Sequence, residues 1–376
     1  MKKKIIIITN LYPSSWEPNR ATFNKQQFNF LSKHLNVSVL VPVAWPQWLK
    51  LTAAQKKEGS EAPAVKSRFC WYFYTPKFMR RFYSAFMLVS LLINSFFWIR
   101  KQQPDYIMAS WAYPEGVATA WLAKIFNKPF FLKVHGSDIN DYANDKARAT
   151  QIVNACQRAQ GIFSVSQALK QKLVDLGVQA EKIHVIYNGV DKSVFYAQAP
   201  PTPSQSLLFV GNLKANKGVV ELIEAFILLK KGHQALTLVI AGNGAMMPFI
   251  TRRLTEEGLM SEVELLGNVG HHQIPSLLRA SRLLVLPSYA EGVPNVILEA
   301  FSCGIPVVAT VVGGIPEIVN ESNGVLVKEK NVEDLTQGIN KALAIEWNSE
   351  RIKEKANDFS WNENASKVLA VIQNNG

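Results

Sequence analysis

Short apolar runs alternate with stretches of helical periodicity along the whole chain. In the first half the runs, rich in isoleucine, valine and phenylalanine, cover residues 5–9, 37–41, 106–109, 130–134, 162–165 and 184–186. Between them, apolar positions recur every three or four residues, as in residues 21–35, 116–126 and 167–176. Because parallel strands need a helical crossover, this alternation predicts stacked βαβ units on a mostly parallel sheet.

The alternation stops at residues 195–206 (FYAQAPPTPSQS) and then restarts. Strands are predicted at residues 207–210, 236–241, 263–266, 283–287, 307–309 and 325–327, with helices at 218–230, 273–280, 293–302 and 332–343. Three prolines among small polar residues are typical of a linker, which we place at residues 191–206. The pattern therefore predicts an α/β fold of two Rossmann-like domains, residues 1–190 and 207–357, with a cleft between them.

Composition excludes several other classes of protein. The chain has 376 residues, 48% of them hydrophobic and 19% charged, which excludes a disordered or fibrous protein. Cys70, Cys156 and Cys303 are too few and too scattered for a disulfide framework or a zinc site. The apolar run after the basic start MKKK is shorter than a signal-peptide core of roughly 7–15 residues, so we expect a cytoplasmic protein.

The excess positive charge of the chain lies entirely in its first half. The net charge is +12; residues 1–195 carry 26 Lys and Arg against 11 Asp and Glu, a balance of +15. Such asymmetry indicates an anionic partner, which could be a phospholipid surface, a nucleic acid or a phosphorylated substrate. An aromatic and cationic stretch from Arg68 to Tyr83 suggests peripheral contact with the inner face of a membrane, with a soluble basic domain as the alternative.

Residues 82–99 contain no charged residue and are bracketed by Arg80–Arg81 and Arg100–Lys101. At 100° per residue, the serines and the asparagine of this segment fall within an arc of about 140°. A polar stripe on an otherwise apolar helix favours a helix packed on the sheet. Contact with a membrane surface and a transmembrane span remain as alternatives.

The most informative motif is EGVPNVILE, in which Glu291 and Glu299 are eight residues apart. The preceding strand should end near Ser288, and a helix should begin near Val293–Pro294 with Glu299 about two turns inside it. A helix amino terminus at the carboxyl end of a strand is a natural phosphate site, and two nearby carboxylates could bind sugar hydroxyls. Surface glutamates at chance spacing are the alternative.

A second motif lies upstream, in FVGNLKANKGVVELIEAF. Gly211 follows a predicted strand, and Lys217 comes at the entrance of a predicted helix. A lysine there suits a diphosphate through both its charge and the helix dipole. A solvated lysine is the alternative.

With these motifs the chain resembles the retaining family-4 glycosyltransferases of the GT-B fold, also called glycosyl transferases group 1. Seven sequence blocks occur in the family's order, at residues 12–23, 135–138, 188–195, 211–218, 241–244, 291–299 and 304–317. The resemblance covers essentially the whole chain. It also implies that residues 358–376 form a helix that crosses back onto the first domain.

The resemblance implies a role for each matching residue. Glu299 would bind the ribose of a nucleotide-sugar, Glu291 the hexose hydroxyls, and Lys217 the diphosphate, while Val269 would contact the base. Together with His135, which would lie near the donor sugar, Glu291 and Lys217 are the candidate catalytic residues. The remaining donor-binding candidates lie in phosphate loops and at the helix start: Ala21, Gly211, Asn212, Gly292, Val293, Pro294, Asn295 and Val296. For His135, a hydrogen-bonded core histidine is the alternative.

Two positions depart from the family pattern. The family commonly has arginine at the position of Asn212, so one positive charge near the diphosphate is missing, and Lys214 is a candidate replacement. The family commonly has glycine at the position of Ala21, where a side chain would narrow the approach of the backbone to phosphate.

The expected function is transfer of a hexose-type sugar from a UDP- or GDP-sugar to a glycan acceptor, with retention of configuration. The resemblance favours a front-face mechanism and a polyprenyl-diphosphate-linked acceptor in cell-surface polysaccharide biosynthesis. No Asp-x-Asp motif occurs, so we expect no metal and no cofactor. A phosphorylase, a nucleotide-sugar epimerase and a noncatalytic sugar-binding scaffold remain as alternatives. No nucleic-acid partner is expected, because the chain lacks a recognisable nucleic-acid-binding motif.

Overall fold

The computed structural model of the chain describes residues 2–57, 65–197 and 205–375. The strands within these residues are β1 (Lys4–Ile8), β2 (Asn36–Ala44), β3 (Val65–Tyr72), β4 (Tyr106–Ser110), β5 (Phe130–Val134), β6 (Gly161–Ser164), β7 (Ile183–Val185), β8 (Ser206–Val210), β9 (Thr237–Ala241), β10 (Val263–Gly267), β11 (Leu283–Leu286), β12 (Val307–Thr310) and β13 (Gly324–Val327). The helices are α1 (Thr22–Ser32), α2 (Trp45–Lys50), α3 (Ala53–Lys56), α4 (Tyr83–Gln102), α5 (Val117–Ile125), α6 (Ser137–Asn140), α7 (Lys146–Arg158), α8 (Gln167–Asp175), α9 (Val219–Lys230), α10 (Met247–Glu256), α11 (Ile274–Arg279), α12 (Asn295–Ser302), α13 (Val332–Ala344), α14 (Ser349–Ala356) and α15 (Trp361–Asn375).

The chain forms two compact units, each built on its own parallel sheet. Unit 1 comprises Met1–Asn188 and Trp361–Gly376, and unit 2 comprises Gly189–Ser360. The sheet of unit 1 has the order β3-β2-β1-β4-β5-β6-β7, and that of unit 2 has the order β10-β9-β8-β11-β12-β13. In each sheet the strand order runs outward in both directions from the first strand of the unit, β1 in unit 1 and β8 in unit 2. Doubly wound nucleotide-binding folds have the same reversal of strand order. The predicted α/β class with two Rossmann-like domains is confirmed.

The boundaries between the units differ slightly from the predicted ones. The chain leaves unit 1 after Asn188 and returns to it at Trp361. Val190 N–H donates to the carbonyl oxygen of Phe359 (3.0 Å), so the two connecting segments are hydrogen-bonded to each other within unit 2. Phe195, expected in the linker, is fully buried, with its ring 5.3 Å from that of His271. The start of the predicted linker therefore belongs to the packed part of unit 2, and residues 198–204 lie outside the described residues.

Strand β3 was not predicted. Its sequence, VKSRFCWY, places two cationic residues among apolar ones, which hides the strand in a hydrophobicity pattern. The strand nevertheless pairs in parallel with β2 at the edge of the sheet, and Phe69 and Cys70 are buried. These two members of the aromatic and cationic stretch therefore belong to the core and are not available to a membrane.

Helix α4 packs on the sheet with its polar stripe inward. Ser84, Ser90 and Ser95 are almost fully buried. Asn94 donates through its Nδ2 to the carbonyl oxygen of Trp71 in β3 (3.0 Å). The predicted packing on the sheet is confirmed for this face, and the opposite face carries exposed apolar side chains.

Helix α15 belongs to unit 1 although it ends the chain. Val368 and Ile372 pack in the same apolar cluster as Phe28 and Phe131. The side chain of Asn364 accepts from Gln27 Nε2 (2.6 Å) and donates to the carbonyl oxygen of Tyr187 (2.6 Å). The last helix is thus joined to the body of unit 1 by both apolar contacts and buried hydrogen bonds.

Candidate active site

The candidate donor-binding residues of unit 2 lie in loops at the carboxyl ends of its parallel strands. Gly211 follows β8, Val269 follows β10, and Glu291 follows β11. In an all-parallel sheet these ends share one edge, where ligands of doubly wound folds bind. The topology therefore gathers segments that are far apart in the sequence.

Lys217 and Glu291 form an ion pair at this edge. The Lys217 ammonium lies 2.5 Å from Glu291 Oε1, and both side chains remain partly exposed, at 26% and 14%. Lys217 ends a short 3-10 turn, and Gly218 follows with φ 68°. A Cβ at Gly218 would lie 1.9 Å from the carbonyl oxygen of Pro287, so only glycine allows this close approach. That approach brings the lysine to the loop that carries Glu291.

The Glu291 loop is held from the other side by the glycine pair after β12. Gly314 N–H donates to the carbonyl oxygen of Gly292 (2.8 Å). A Cβ at Gly313, where φ is 52°, would lie 1.9 Å from the carbonyl oxygen of Glu291. The GG-x-x-E motif therefore supports the backbone of the Glu291 loop, a role that the sequence alone did not reveal.

Glu299 pairs with a histidine that sequence analysis missed. His271 Nε2 lies 2.8 Å from Glu299 Oε1; because a carboxylate only accepts, Nε2 carries the proton. Burial disfavours the imidazolium, but the hydrogen bond and charge of Glu299, with the charge of Asp191, outweigh burial and raise the pKa of His271 above its ordinary value. The sequence feature that could have identified His271 is its position, two residues after Val269 and close to the carboxyl end of a strand.

The helix that carries Glu299 starts later than predicted. Helix α12 begins at Asn295 with Pro294 as its amino-terminal cap residue, and Ile297 N–H donates to the carbonyl oxygen of Pro294 (3.1 Å). Glu299 is therefore the fifth helical residue, a little over one turn inside, and the expected two turns were wrong. Gly292 and Val293 are buried in the preceding loop, while Val296 is half-buried in the first turn.

Asn212 takes no part in the Lys217–Glu291 pair. Its side chain is exposed, as is that of Lys214. The backbone of this loop is fixed by neighbours, since Gly211 N–H donates to the carbonyl oxygen of Ala241 and Leu213 N–H to that of Asn243, both at 3.0 Å. The loop after β8 is thus ordered by the AGNG segment.

In unit 1, the His135 side chain is held by a chain of hydrogen bonds between uncharged groups. The amide of Asn24 donates to the carbonyl oxygen of Leu11, so its Oδ1 is free to accept from Ser110 Oγ (3.2 Å). Ser110 Oγ in turn lies 2.8 Å from His135 Nε2, which therefore acts as the donor. Burial, reinforced by the charge of Lys133, lowers the pKa of His135 well below its ordinary value. The imidazole is neutral, with Nδ1 as its basic nitrogen.

Asp138 organises the loop that carries His135. Its carboxylate accepts from three backbone N–H groups, those of His135 (2.9 Å), Gly136 (2.8 Å) and Ala112 (3.0 Å). Burial raises the pKa of Asp138 to about 6, and the three N–H groups oppose that rise. The HGSD motif therefore encodes a carboxylate-capped turn as well as the histidine.

Ala21 lies beside this network, at the start of α1. Its φ is 46°, in the left-handed region that favours glycine. Phe23, two residues later, places its ring 5.2 Å from that of His135. Unit 1 thus brings Ala21 and His135 near one another, and the other candidates belong to unit 2.

Two buried ionisable groups in unit 1 were not predicted from the sequence. Lys133 at the end of β5 is 1% exposed and donates to Gln27 Oε1 (2.8 Å) and Asn188 Oδ1 (3.0 Å). Burial lowers the pKa of Lys133 to about 7. The side chain of Glu115 is fully buried, and burial raises its pKa to about 7.

Unit 1 also contains a cavity of about 480 Å³ with cationic and aromatic walls. Its lining includes Lys77, Arg80 and Arg148 together with Trp111 and Tyr142. The guanidinium of Arg148 lies 5.5 Å from the Tyr142 ring, and its buried Nε has no hydrogen-bond partner among the described residues. The volume of the cavity falls in the range of small-molecule sites, and the charge of its lining suits an anion.

Across residues 2–57, 65–197 and 205–375, no three His, Cys, Asp or Glu side chains come together as a metal site would require.

Comparisons with known proteins define the class of this chain. Residues 46–194 match the family described as Glycosyltransferase Family 4, and residues 194–359 match Glycosyl transferases group 1. The chain is 30% identical over 371 residues to TuaC of Bacillus subtilis, a glycosyltransferase named for teichuronic acid biosynthesis, covering 89% of this chain and 88% of TuaC. The chain therefore belongs to the glycosyl transferases group 1 family, and it is a glycosyltransferase.

Solved structures show the same fold. Sucrose-phosphate synthase from Thermosynechococcus elongatus superposes with a TM-score of 0.83 at 18% identity, over 99% of both chains. HepE of Anabaena, solved in complex with UDP-glucose, superposes with a TM-score of 0.71 at 20% identity, over 98% of this chain and 99% of HepE. The GT-B fold expected from the sequence is confirmed.

Proposed function

We propose that this glycosyltransferase moves a hexose-type sugar from a UDP- or GDP-sugar to a glycan acceptor, with retention of configuration and without a metal ion. The observation that carries the proposal is the pairing of Lys217 with Glu291 and of His271 with Glu299 at the carboxyl edge of the unit 2 sheet. HepE was solved with UDP-glucose, which supports a nucleotide-sugar donor.

Each paired residue has a role that follows from its chemistry. The ribose diol would donate hydrogen bonds to the carboxylate of Glu299, which His271 orients, and the hexose hydroxyls would donate to Glu291. Lys217 would then exchange Glu291 for the diphosphate and stabilise the charge of the leaving group. The positive end of the α12 helix dipole would add to that stabilisation.

The reaction we propose is a front-face substitution. The bond between the anomeric carbon and the diphosphate oxygen breaks, and the acceptor oxygen forms its bond on the same face. The proton of the acceptor hydroxyl passes to the departing diphosphate. Neutral His135 would hydrogen-bond the donor sugar through Nδ1. No second carboxylate nucleophile is needed, unlike in a double displacement.

The acceptor we propose is linked to a polyprenyl diphosphate, in the assembly of a cell-surface polysaccharide by a cytoplasmic enzyme. The cationic and aromatic cavity of unit 1 has the chemistry for a diphosphate and a sugar ring. Teichuronic acid biosynthesis, the pathway in the name of TuaC, is a precedent for a polysaccharide product.

The test is nucleotide binding measured by thermal shift with a panel of UDP, GDP, ADP and their sugars. We expect one nucleoside family to stabilise the wild type, and Glu299→Gln to abolish that shift. Glu346→Gln is the matched control, because Glu346 is exposed just after α13 and away from the strand carboxyl ends. Transfer with the identified donor, with and without EDTA, then gives the anomeric configuration of the product by NMR. If no nucleotide stabilises the wild type, the noncatalytic scaffold replaces this proposal.

A further inference from the structure

Helix α4 carries apolar side chains on its exposed side as well as on its buried side. The buried side combines three serines with three apolar residues: Ser84, Ser90, Ser95, Met87, Leu91 and Ile99. On the other side, Val89, Ile93 and Phe97 are 54%, 68% and 82% exposed. At 100° per residue, these three side chains fall within an arc of about 80°. We call them the α4 outer face. A helix of a soluble domain normally turns such an apolar stripe to the core.

Exposed apolar side chains concentrate around this helix. The described residues include fourteen large hydrophobic side chains that are exposed, and seven of them lie between Phe73 and Phe97. Beside the α4 outer face, they are Phe73, Phe78, Met79 and Phe82. A cluster of this kind marks an interaction surface, whereas single exposed apolar residues need no explanation.

The same region is strongly cationic. Residues 65–104 contain seven Lys and Arg and no Asp or Glu. Arg80 and Arg81 precede α4 and Arg100 and Lys101 end it; all four are exposed. A row of apolar side chains with cations at both ends complements an anionic lipid surface, whose headgroups attract the charges and whose acyl boundary takes the apolar groups.

The contacts of α4 favour a helix that lies on a membrane over one that crosses it. Among the described residues, the segment Arg80–Gln102 is the one helix long and apolar enough to span a bilayer, by length and composition alone. However, its polar side is bound to β3. Phe73 N–H donates to Ser90 Oγ (2.9 Å), and Arg68 donates to the carbonyl oxygen of Asn94 (3.2 Å). A span would break these contacts and expose three buried serines to lipid.

We propose that the α4 outer face docks unit 1 onto an anionic lipid bilayer, with the helix lying in the plane of the interface. The apolar side chains enter the headgroup boundary while the cations at both helix ends contact lipid phosphates. The proposal does not depend on the proposed function, because binding to lipid requires neither donor nor acceptor.

Charge argues against a second copy of the chain as the occupant. A symmetric dimer places the same patch on both sides of its interface. Two copies joined through the α4 outer face would bring together the exposed cations at the helix ends of each chain, Arg80, Arg81, Arg100 and Lys101. Like charges placed in this way oppose association, whereas an anionic lipid surface neutralises them.

The first experiment measures sedimentation of the full-length protein with vesicles of phosphatidylcholine containing 30% phosphatidylglycerol. We expect binding at low salt, weakening with added salt and little binding to pure phosphatidylcholine. Ile93→Gln/Phe97→Gln should weaken binding at least about 100-fold, because each side chain transfers roughly 1.5–3 kcal/mol of apolar free energy. Arg100→Gln/Lys101→Gln should weaken it roughly 30-fold, because each cation contributes about 1 kcal/mol.

The matched control is Leu228→Gln/Met260→Gln. Leu228 and Met260 are exposed apolar residues of unit 2, at 40% and 37% exposure. This variant loses two exposed apolar side chains and no charge, so it should bind vesicles like the wild type. Equal binding by this control and by Ile93→Gln/Phe97→Gln would overturn the proposal, because binding would then rest on general positive charge.

The second experiment reports the position of the helix directly. Because the native cysteines are all buried, Phe97→Cys can be labelled selectively with a polarity-sensitive fluorophore. We expect a blue shift with anionic vesicles and quenching by shallow but not deep lipid quenchers. The same label at Leu228→Cys should not respond.

Other outcomes would also contradict the proposal. Quenching by probes at the bilayer centre would indicate a span. A dimer in light scattering that Ile93→Gln/Phe97→Gln converts to a monomer, without vesicle binding by the wild type, would assign the α4 outer face to a second copy.

Discussion

The two units build their candidate site residues in opposite ways. In unit 2 the charged groups are paired with one another at the surface of the strand ends, Lys217 with Glu291 and His271 with Glu299. In unit 1 the charged groups are buried and held mainly by backbone N–H groups and amides, as with Asp138 and Lys133. The first arrangement can exchange partners with a ligand, and the second fixes geometry.

This difference separates the expected effects of substitutions. A partly exposed ion pair contributes little to folding, about 0–1 kcal/mol, so its removal should change activity with little change in stability. A buried carboxylate that accepts several N–H groups contributes through each of them, so its removal should change stability first. Measurements of both quantities on variants of each unit test the distinction.

The largest effect is expected for Lys217→Met. Removal of a preorganised cation at a developing negative charge typically lowers the rate about 10²–10³-fold, so kcat/KM should fall by that factor. The free energy of unfolding should change by less than about 1 kcal/mol. Kinetics and urea denaturation give the two values. The control is Lys231→Met, an exposed lysine at the other end of α9, which should leave both unchanged.

Asp138→Ala should destabilise the protein by about 3 kcal/mol. Three backbone N–H groups lose their charged acceptor in a buried loop, and each such loss is costly. The midpoint of urea denaturation should therefore fall. Asp175→Ala, which removes an exposed carboxylate at the end of α8, should change the midpoint little. Equal midpoints for the two variants would contradict a structural role for Asp138.

The sequence predicted most of the sheet because most strands are short apolar runs between helices. It missed β3, where Lys66 and Arg68 interrupt the pattern at a sheet edge. It missed Lys133 for a related reason. In a sheet covered on both faces, a charged residue in a strand has no solvent side, so FFLKV places its lysine in the interior.

The site residues within motifs were predicted, but several of the contacts that hold them were not. Glu291, Glu299 and Lys217 were found by spacing and by resemblance. His271 and the support from Gly313 depend on contacts between loops of different strands, which spacing along one chain does not encode. The polar stripe of α4 was visible in the sequence, but its direction depends on hydrogen-bond partners in β3 and directly after it.

Glu115→Gln should change how stability depends on pH. The pKa of Glu115 is about 7 in the folded protein against 4.5 ordinarily, so between these values the folded state binds more protons than the unfolded one. Stability from this group is present below about pH 4.5 and is lost as the pH rises through 7, by about 3 kcal/mol. Glu115→Gln has no ionisable group at this position, so it should not lose this stability as the pH rises.

Urea denaturation at pH 5 and pH 8 measures this difference. We expect the stability of Glu115→Gln relative to wild type to rise by about 2–3 kcal/mol between the two values. Glu181→Gln, at an exposed position, should show no such rise. A parallel pH dependence of wild type and Glu115→Gln would show that the carboxylate is ionised at no cost, with backbone N–H groups and the charge of Arg20 compensating for burial.

The smallest effect is expected for Ala21→Gly, and its sign is the informative part. An L-residue in the left-handed region is strained by roughly 1–2 kcal/mol, and Ala21 has φ 46° at the amino-terminal end of α1. Glycine removes this strain. It also makes the unfolded chain more flexible, which lowers the stability of the folded state by about 0.5–1 kcal/mol. The net expectation is stabilisation by about 0.5–1 kcal/mol. Ala147→Gly, at an exposed position in the first turn of α7, should instead destabilise by up to about 1 kcal/mol, because no strain is relieved there. Opposite signs in urea denaturation would show that unit 1 accepts local backbone strain where its first loop meets α1, and equal signs would show that it does not.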